Sequence, residues 1–128
     1  FWRQLLNREK NALLDIKKAG IFPIVHGARV LALEAGIDVP NTFDRLEALT
    51  SRSIIEKSQA DDLAESLAFL MRLRLDAGLE MLRKGTPLSN EIDTASLSTL
   101  DKDLLQDALQ VVKRFKRMIG QRYGLDRF

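Results

Sequence analysis

Pro23-Ile24-Val25-His26-Gly27-Ala28-Arg29-Val30-Leu31-Ala32-Leu33-Glu34-Ala35, followed by Gly36, is the stretch on which the fold turns. Pro23 suits the first turn of a helix, where its missing N–H costs nothing. Gly36 suits the position just past the end. Ile24, Ala28, Leu31 and Ala35 share one side of the helical wheel, and Val30 and Leu33 fall on the other. Only His26, Arg29 and Glu34 are polar. A helix that is apolar nearly all round is a buried one, so this segment is expected to be the central helix of a bundle.

The neighbouring segments read the same way. Asn41 is a good N-cap, and Asp44 follows near the positive helix end, so a helix carrying Phe43, Leu46 and Leu49 is expected to run to about Ser53. The longest helix is expected to open at Ser58, with Asp61 in its first turn, and to close at Lys84-Gly85. Its apolar face would comprise Leu63, Leu67, Leu70, Met71, Gly78, Met81 and Leu82, with Phe69 and Leu73 off that stripe. Residues 85–98 read as a long irregular connection, which in a compact domain is often functional or packed against something. A last helix starts near Ser98 or Thr99, with the stripe Leu104, Ala108, Val111, Val112, Phe115, Met118 and Ile119. Residues 1–19 are ambiguous. Trp2, Leu5, Leu6, Leu13 and Ile16 fit one helical face, Asn7 to Asn11 reads as a break, and Gly20 ends the segment. No stretch alternates like a strand. The expected fold is therefore all-α: a bundle of four to five helices with one long loop. It forms a single domain over 1–128, with 1–20 a lead-in and 21–123 the bundle core.

Composition narrows the function. The chain has 128 residues, the size of one ordinary domain, and begins Phe1-Trp2-Arg3 without Met, as a fragment of a longer multidomain protein would. No apolar run approaches the ~20 residues that cross a bilayer, and no signal peptide is visible. There is no cysteine, which excludes disulfides, thiolate nucleophiles and Cys-ligated metal and fits a cytoplasmic setting. Twenty cations oppose 18 anions, a net charge of +2, so a nucleic-acid surface is disfavoured.

Few residues suggest chemistry. Asp101 and Asp103 form an Asp-x-Asp pair of the kind that holds Mg²⁺, yet both sit where a helix's first turn favours carboxylates, as do Asp61 and Asp62. His26 has Phe22 and Val30 one turn to either side, neither of them a metal ligand, and reads as a core or boundary histidine. Arg29 lies on the helix expected to be buried, and Arg74 lies within the long helix's apolar stripe. A buried guanidinium needs a partner. Each is therefore either a structural ion pair, with Asp15, Asp44 or Asp93 available, or a cation lining an anion pocket. Lys17-Lys18 and the basic last turns from Lys113 to Arg122 read as solvated charge and dipole complement.

The run from Asp15-Ile16-Lys17 through Gly20, Pro23-Ile24-Val25 and Ala28-Arg29 to Leu33, followed by Asn41-Thr42-Phe43-Asp44-Arg45-Leu46, carries a further signal. It resembles the C-terminal helical, substrate-binding domain of bacterial nucleotidyltransferases that also carry cyclic-nucleotide-binding and CBS domains. Those proteins are similar to the uridylyltransferases of the PII signalling protein. Phe69-Leu70-Met71-Arg72-Leu73-Arg74-Leu75, Asn90-Glu91-Ile92-Asp93, Leu97-Ser98 and Leu100, and the terminal helix with Val112 and Phe115 agree, so the resemblance spans about residues 1–123. It departs after Leu75, where the family tends to have His-Gln and this chain has Asp76-Ala77-Gly78, and at Lys116, where Gln is common.

The resemblance implies a signal-transduction role. This chain would be an accessory, non-catalytic domain beside a nucleotidyltransferase domain in the same full-length chain. A Gly-Ser motif, paired carboxylates, Mg²⁺ and nucleoside triphosphate belong to that missing domain, and no cofactor belongs to this one. Lys17, Arg29, Arg45 and Arg74 would line the wall that receives phosphate or an acidic acceptor, whether protein or small molecule. The alternative is a protein-interaction or dimerisation bundle, possible as a homodimer, with Phe69 and Leu73 covering a partner. A helical nucleic-acid binder is the third reading.

Overall fold

A computed structural model describes residues 13–125. Among them lie four α-helices: α1 (Phe22–Glu34), α2 (Thr42–Ser51), α3 (Lys57–Lys84) and α4 (Thr99–Tyr123). The expected all-α bundle is what forms. Trp2, Leu5, Leu6 and the Asn7–Asn11 break lie outside the described residues.

Two short strands join the helices. β1 (Leu13–Asp15) pairs antiparallel with β2 (Glu91–Asp93), with Leu14 opposite Ile92. Both of these residues are buried, and the Ile16 N–H extends the ladder to the Asn90 carbonyl at 3.1 Å. Leu13 and Ile16 therefore do not share a helical face as expected: Leu13 faces out and Ile16 is fully buried. Three residues are too few for alternation to register in a sequence, and the partner strand is far along the chain. The 85–98 connection is correspondingly less irregular than expected. It carries β2 and a 3₁₀ turn, Thr94–Ser96, capped by the Asp93 side chain.

Gly20 does not end a segment. Lys17–Ile21 forms a π-helical turn that runs straight into α1, and the Phe22 N–H bonds the Lys17 carbonyl. The widening falls just before Pro23, whose ring would otherwise crowd the carbonyl of Ala19 four residues back. The buried core thus includes Leu14, Ile16 and Gly20, ahead of the expected boundary at residue 21.

The core forms where α4 lies along α3 and across α1. From α4 come Leu105, Ala108, Leu109, Val112, Phe115 and Ile119; Leu104 of the expected stripe is partly exposed instead. α1 contributes Ile24, Gly27, Ala28, Leu31 and Ala32. A Cβ on Gly27 would overlap the Phe115 ring, so this glycine sets how closely α1 approaches α4. Helix ends follow local rules. Asn41 Oδ1 accepts from the Phe43 and Asp44 amides at 2.8 and 3.3 Å, Ser98 Oγ accepts from the Asp101 amide at 3.0 Å, and Gly85 closes α3 at φ 70°. The α3 N-cap is Glu56 rather than Ser58, and its side chain makes no capping bond.

Two further expectations change. α1 is not buried all round, because Val30, Leu33 and Arg29 face outward. α3 is buried through Ala60, Leu63, Ser66, Leu67, Leu70 and Leu73, and then outruns its neighbour. Arg72 pairs with Asp101 at 2.9 Å, which puts the start of α4 level with residue 72. The last three turns of α3 extend beyond it, about 18 Å at 1.5 Å per residue. Met71 and Leu82, expected in the core, are exposed there, whereas Leu73 is core and Phe69 packs against it.

Candidate functional site

The outward face of α1 gathers the first candidates. Phe22, His26, Arg29 and Leu33 are spaced by four, three and four residues, which stacks them along one face. The Phe22 and His26 rings stack with centroids 5.1 Å apart and planes 15° apart. From the π-helical turn, Lys17 places its Nζ 4.8 Å from the Phe22 ring centroid, a cation–π contact. Arg29 is exposed one turn beyond His26 and makes no hydrogen bond or ion pair among the described residues. The result is a ribbon of cation, two stacked rings and a second cation.

This arrangement corrects two expectations. Arg29 is not a buried guanidinium seeking Asp15 or Asp44, because only one side of α1 is covered. His26 is not a core histidine but is exposed on its Phe22 neighbour. The Phe22–His26 spacing was the signal available in the sequence; its meaning depended on which side of α1 is left open.

The remaining candidates lie elsewhere. Arg45 is partly buried and its Nε donates to the Val39 carbonyl at 2.8 Å, bracing the loop between α1 and α2. Arg52 acts similarly on the Ala35 carbonyl, with Nη1 at 2.6 Å. Arg74 is exposed, because none of the described helices lies over the end of α3. Its Nε donates to Asn90 Oδ1 at 3.2 Å, so its partner is a neutral amide rather than Asp93. Asn90 also accepts the Ile16 N–H, which ties Arg74 to the strand just before Lys17. The structure therefore places Lys17 and Arg29 on one face, commits Arg45 to the backbone, and sets Arg74 on the rim of a separate groove. That groove, of about 320 Å³, is lined by Met71, Arg74, Leu75, Gly78, Leu79, Leu82 and Leu88.

Two of the acidic candidates are held in ion pairs. Asp101 is held by Arg72 at 2.9 Å within the first turn of α4, and Asp61 by Lys57 at 2.8 Å. Among the described residues no group of three His, Asp or Glu is placed to hold a metal, and no helix is long and apolar enough to cross a membrane.

The chain's own pattern matches one known family across almost its whole length. The family described as "Putative nucleotidyltransferase substrate binding domain" matches residues 1–123. No curated protein and no solved structure matches the chain. With that match laid over a bundle of four helices, the chain belongs to this family.

Proposed function

We propose that this chain is a non-catalytic accessory domain, and that the outward face of α1 receives an anionic group of the nucleotide or acceptor handled by a nucleotidyltransferase catalytic domain beside it. One observation carries the reading: half-buried Lys17 and Phe22 and exposed His26 and Arg29 form a ribbon with two cations flanking a ring stack. Such a ribbon offers charge to phosphate oxygens or carboxylates and a π-face to a heterocycle. Arg29 suits this role because no carboxylate of the described residues neutralises it. On this reading Mg²⁺ and nucleoside triphosphate would be held by the catalytic domain.

Calorimetric titration with ATP, UTP and inorganic pyrophosphate tests this. Binding should weaken about fivefold or more in Arg29→Ala and in Lys17→Ala, the size expected from losing one charged contact of about 1 kcal/mol or more. Arg74→Ala should bind like wild type. Arg29 and Arg74 are exposed and Lys17 is partly so, and the variants should stay folded, with thermal midpoints close to wild type. Absence of binding by the folded wild-type chain would overturn the assignment.

A further inference from the structure

We infer that the overhanging end of α3 is a docking groove for one amphipathic helix of a partner polypeptide that carries carboxylates on its flank.

The groove faces away from the core. Met71, Leu75, Gly78 and Leu82 follow the four-three-four spacing of a coiled-coil seam and fall within about 60° on the helical wheel. Leu79 widens the stripe on one side, and Leu88, folded back by the loop after α3, closes it. Leu75, Leu79, Leu82 and Leu88 are each more than half exposed. A run of apolar side chains this contiguous marks an interaction surface rather than scattered surface leucines. Gly78 has nothing within 4 Å of where a Cβ would stand, so a partner backbone has room to approach there. From residue 71 to 82 the seam is about 16 Å long, which is three helical turns.

Charge decides the occupant. Arg74 borders the seam, and among the described residues its side chain bonds only the neutral Asn90 amide. Docking would strip water from this guanidinium, at a cost that a carboxylate on the partner would offset. The same seam of a second copy, laid against this one, supplies none. The carboxylates on this part of α3, Asp76 and Glu80, sit about 120° or more from Arg74 on the wheel and point away from the seam. Both are already paired, Asp76 with Arg72 at 3.3 Å and Glu80 with Arg83 at 2.6 Å. Self-pairing would therefore bury two arginines unneutralised, whereas a helix with Leu at its seam and Glu or Asp beside it matches both features. The groove is separate from the α1 face, so either assignment survives the loss of the other.

The probe is a synthetic helical peptide of about 14 residues with Leu at heptad a and d positions and Glu at the flanking positions, compared with the same peptide carrying Lys there. Wild-type chain should bind the Glu peptide about tenfold or more tighter than the Lys peptide. Leu79→Glu should abolish binding, and Arg74→Glu should reverse the preference between the two peptides. Leu100→Glu, at an exposed apolar position outside the groove, should leave binding unchanged. Equal affinity for both peptides would overturn the inference, as would no binding to either. So would concentration-dependent dimerisation of the wild-type chain that Leu79→Glu removes, because the occupant would then be a second copy.

Discussion

At the scale of single residues, two glycines in helices have opposite meanings. Gly27 lies where α1 crosses α4, and a methyl there would meet the Phe115 ring, with Cζ at 2.8 Å from the new Cβ. Phe115 is fully buried and cannot withdraw without moving its neighbours. Overpacking of this kind costs about 1–3 kcal/mol, against roughly 1 kcal/mol of helix propensity gained over glycine. Gly78 meets nothing, so there the propensity gain stands alone. Urea unfolding should find Gly27→Ala destabilised by up to about 2 kcal/mol and Gly78→Ala stabilised by about 0.5–1 kcal/mol. Equal effects at both positions would contradict the close α1–α4 approach. None of this asymmetry is visible in the letters around the two glycines.

Among the elements, α2 has a strong start and a weak finish. Asn41 caps two amides at its N-terminus. At its C-terminus Ser53 sits in the left-handed region at φ 58°, while the Ile54 and Ser53 amides bond the Leu49 and Thr50 carbonyls at 2.9 Å. That is a Schellman arrangement built on a residue that pays for the conformation. Asn41→Ala should cost about 1 kcal/mol, and Ser53→Gly should add up to about 1 kcal/mol, both read from denaturant midpoints. A loss of stability in Ser53→Gly would show that the left-handed turn is not what limits this helix end. Asn41 was legible as a cap because capping is local. The β1–β2 ladder was not, since its stability comes from burying Leu14 and Ile92 together across a long separation in the chain.

For the whole molecule, one ion pair joins two distant helix ends. Arg122 of α4 donates to Glu34 Oε1 of α1 from Nη2 at 2.8 Å and from Nε at 3.3 Å. The Arg122 hydrogen bond holds the Glu34 carboxyl below its usual range. Beside them, burial lifts the Tyr123 phenol above its usual range. A carboxyl depressed in the folded state adds stability above its unfolded pKa of about 4.3, and that stability is lost as pH falls through the lower folded value. Both side chains are well exposed, so the contribution is small and weakened by salt. NMR titration should find Glu34 protonating below the ordinary carboxylate range in wild type and within it in Arg122→Ala. An unchanged Glu34 titration in that variant would sink the assignment.

The sequence by itself determined the four helices, the Asn41 and Ser98 caps, the Gly36 and Gly85 stops, and the family. These depend on local backbone rules and on apolar periodicity, which a chain carries wherever it folds. It also contained the residues of both candidate surfaces, Lys17 and Arg29 in one motif and Arg74 in another, but placed Arg29 and Arg74 in a buried environment. An apolar residue on a helix states only that it would gain from burial, not that a neighbour exists to bury it. Val30 and Leu33 look as much like core as Ile24 and Leu31, and Leu75 and Leu82 as much like core as Leu67 and Leu70. Tertiary structure decided between them. Among the described residues α1 is covered on one side only, and α4 begins level with Arg72, which leaves the end of α3 without a helix over it. That single offset between two helices exposes Arg74, opens the groove beside it, and turns an expected buried guanidinium into a surface cation.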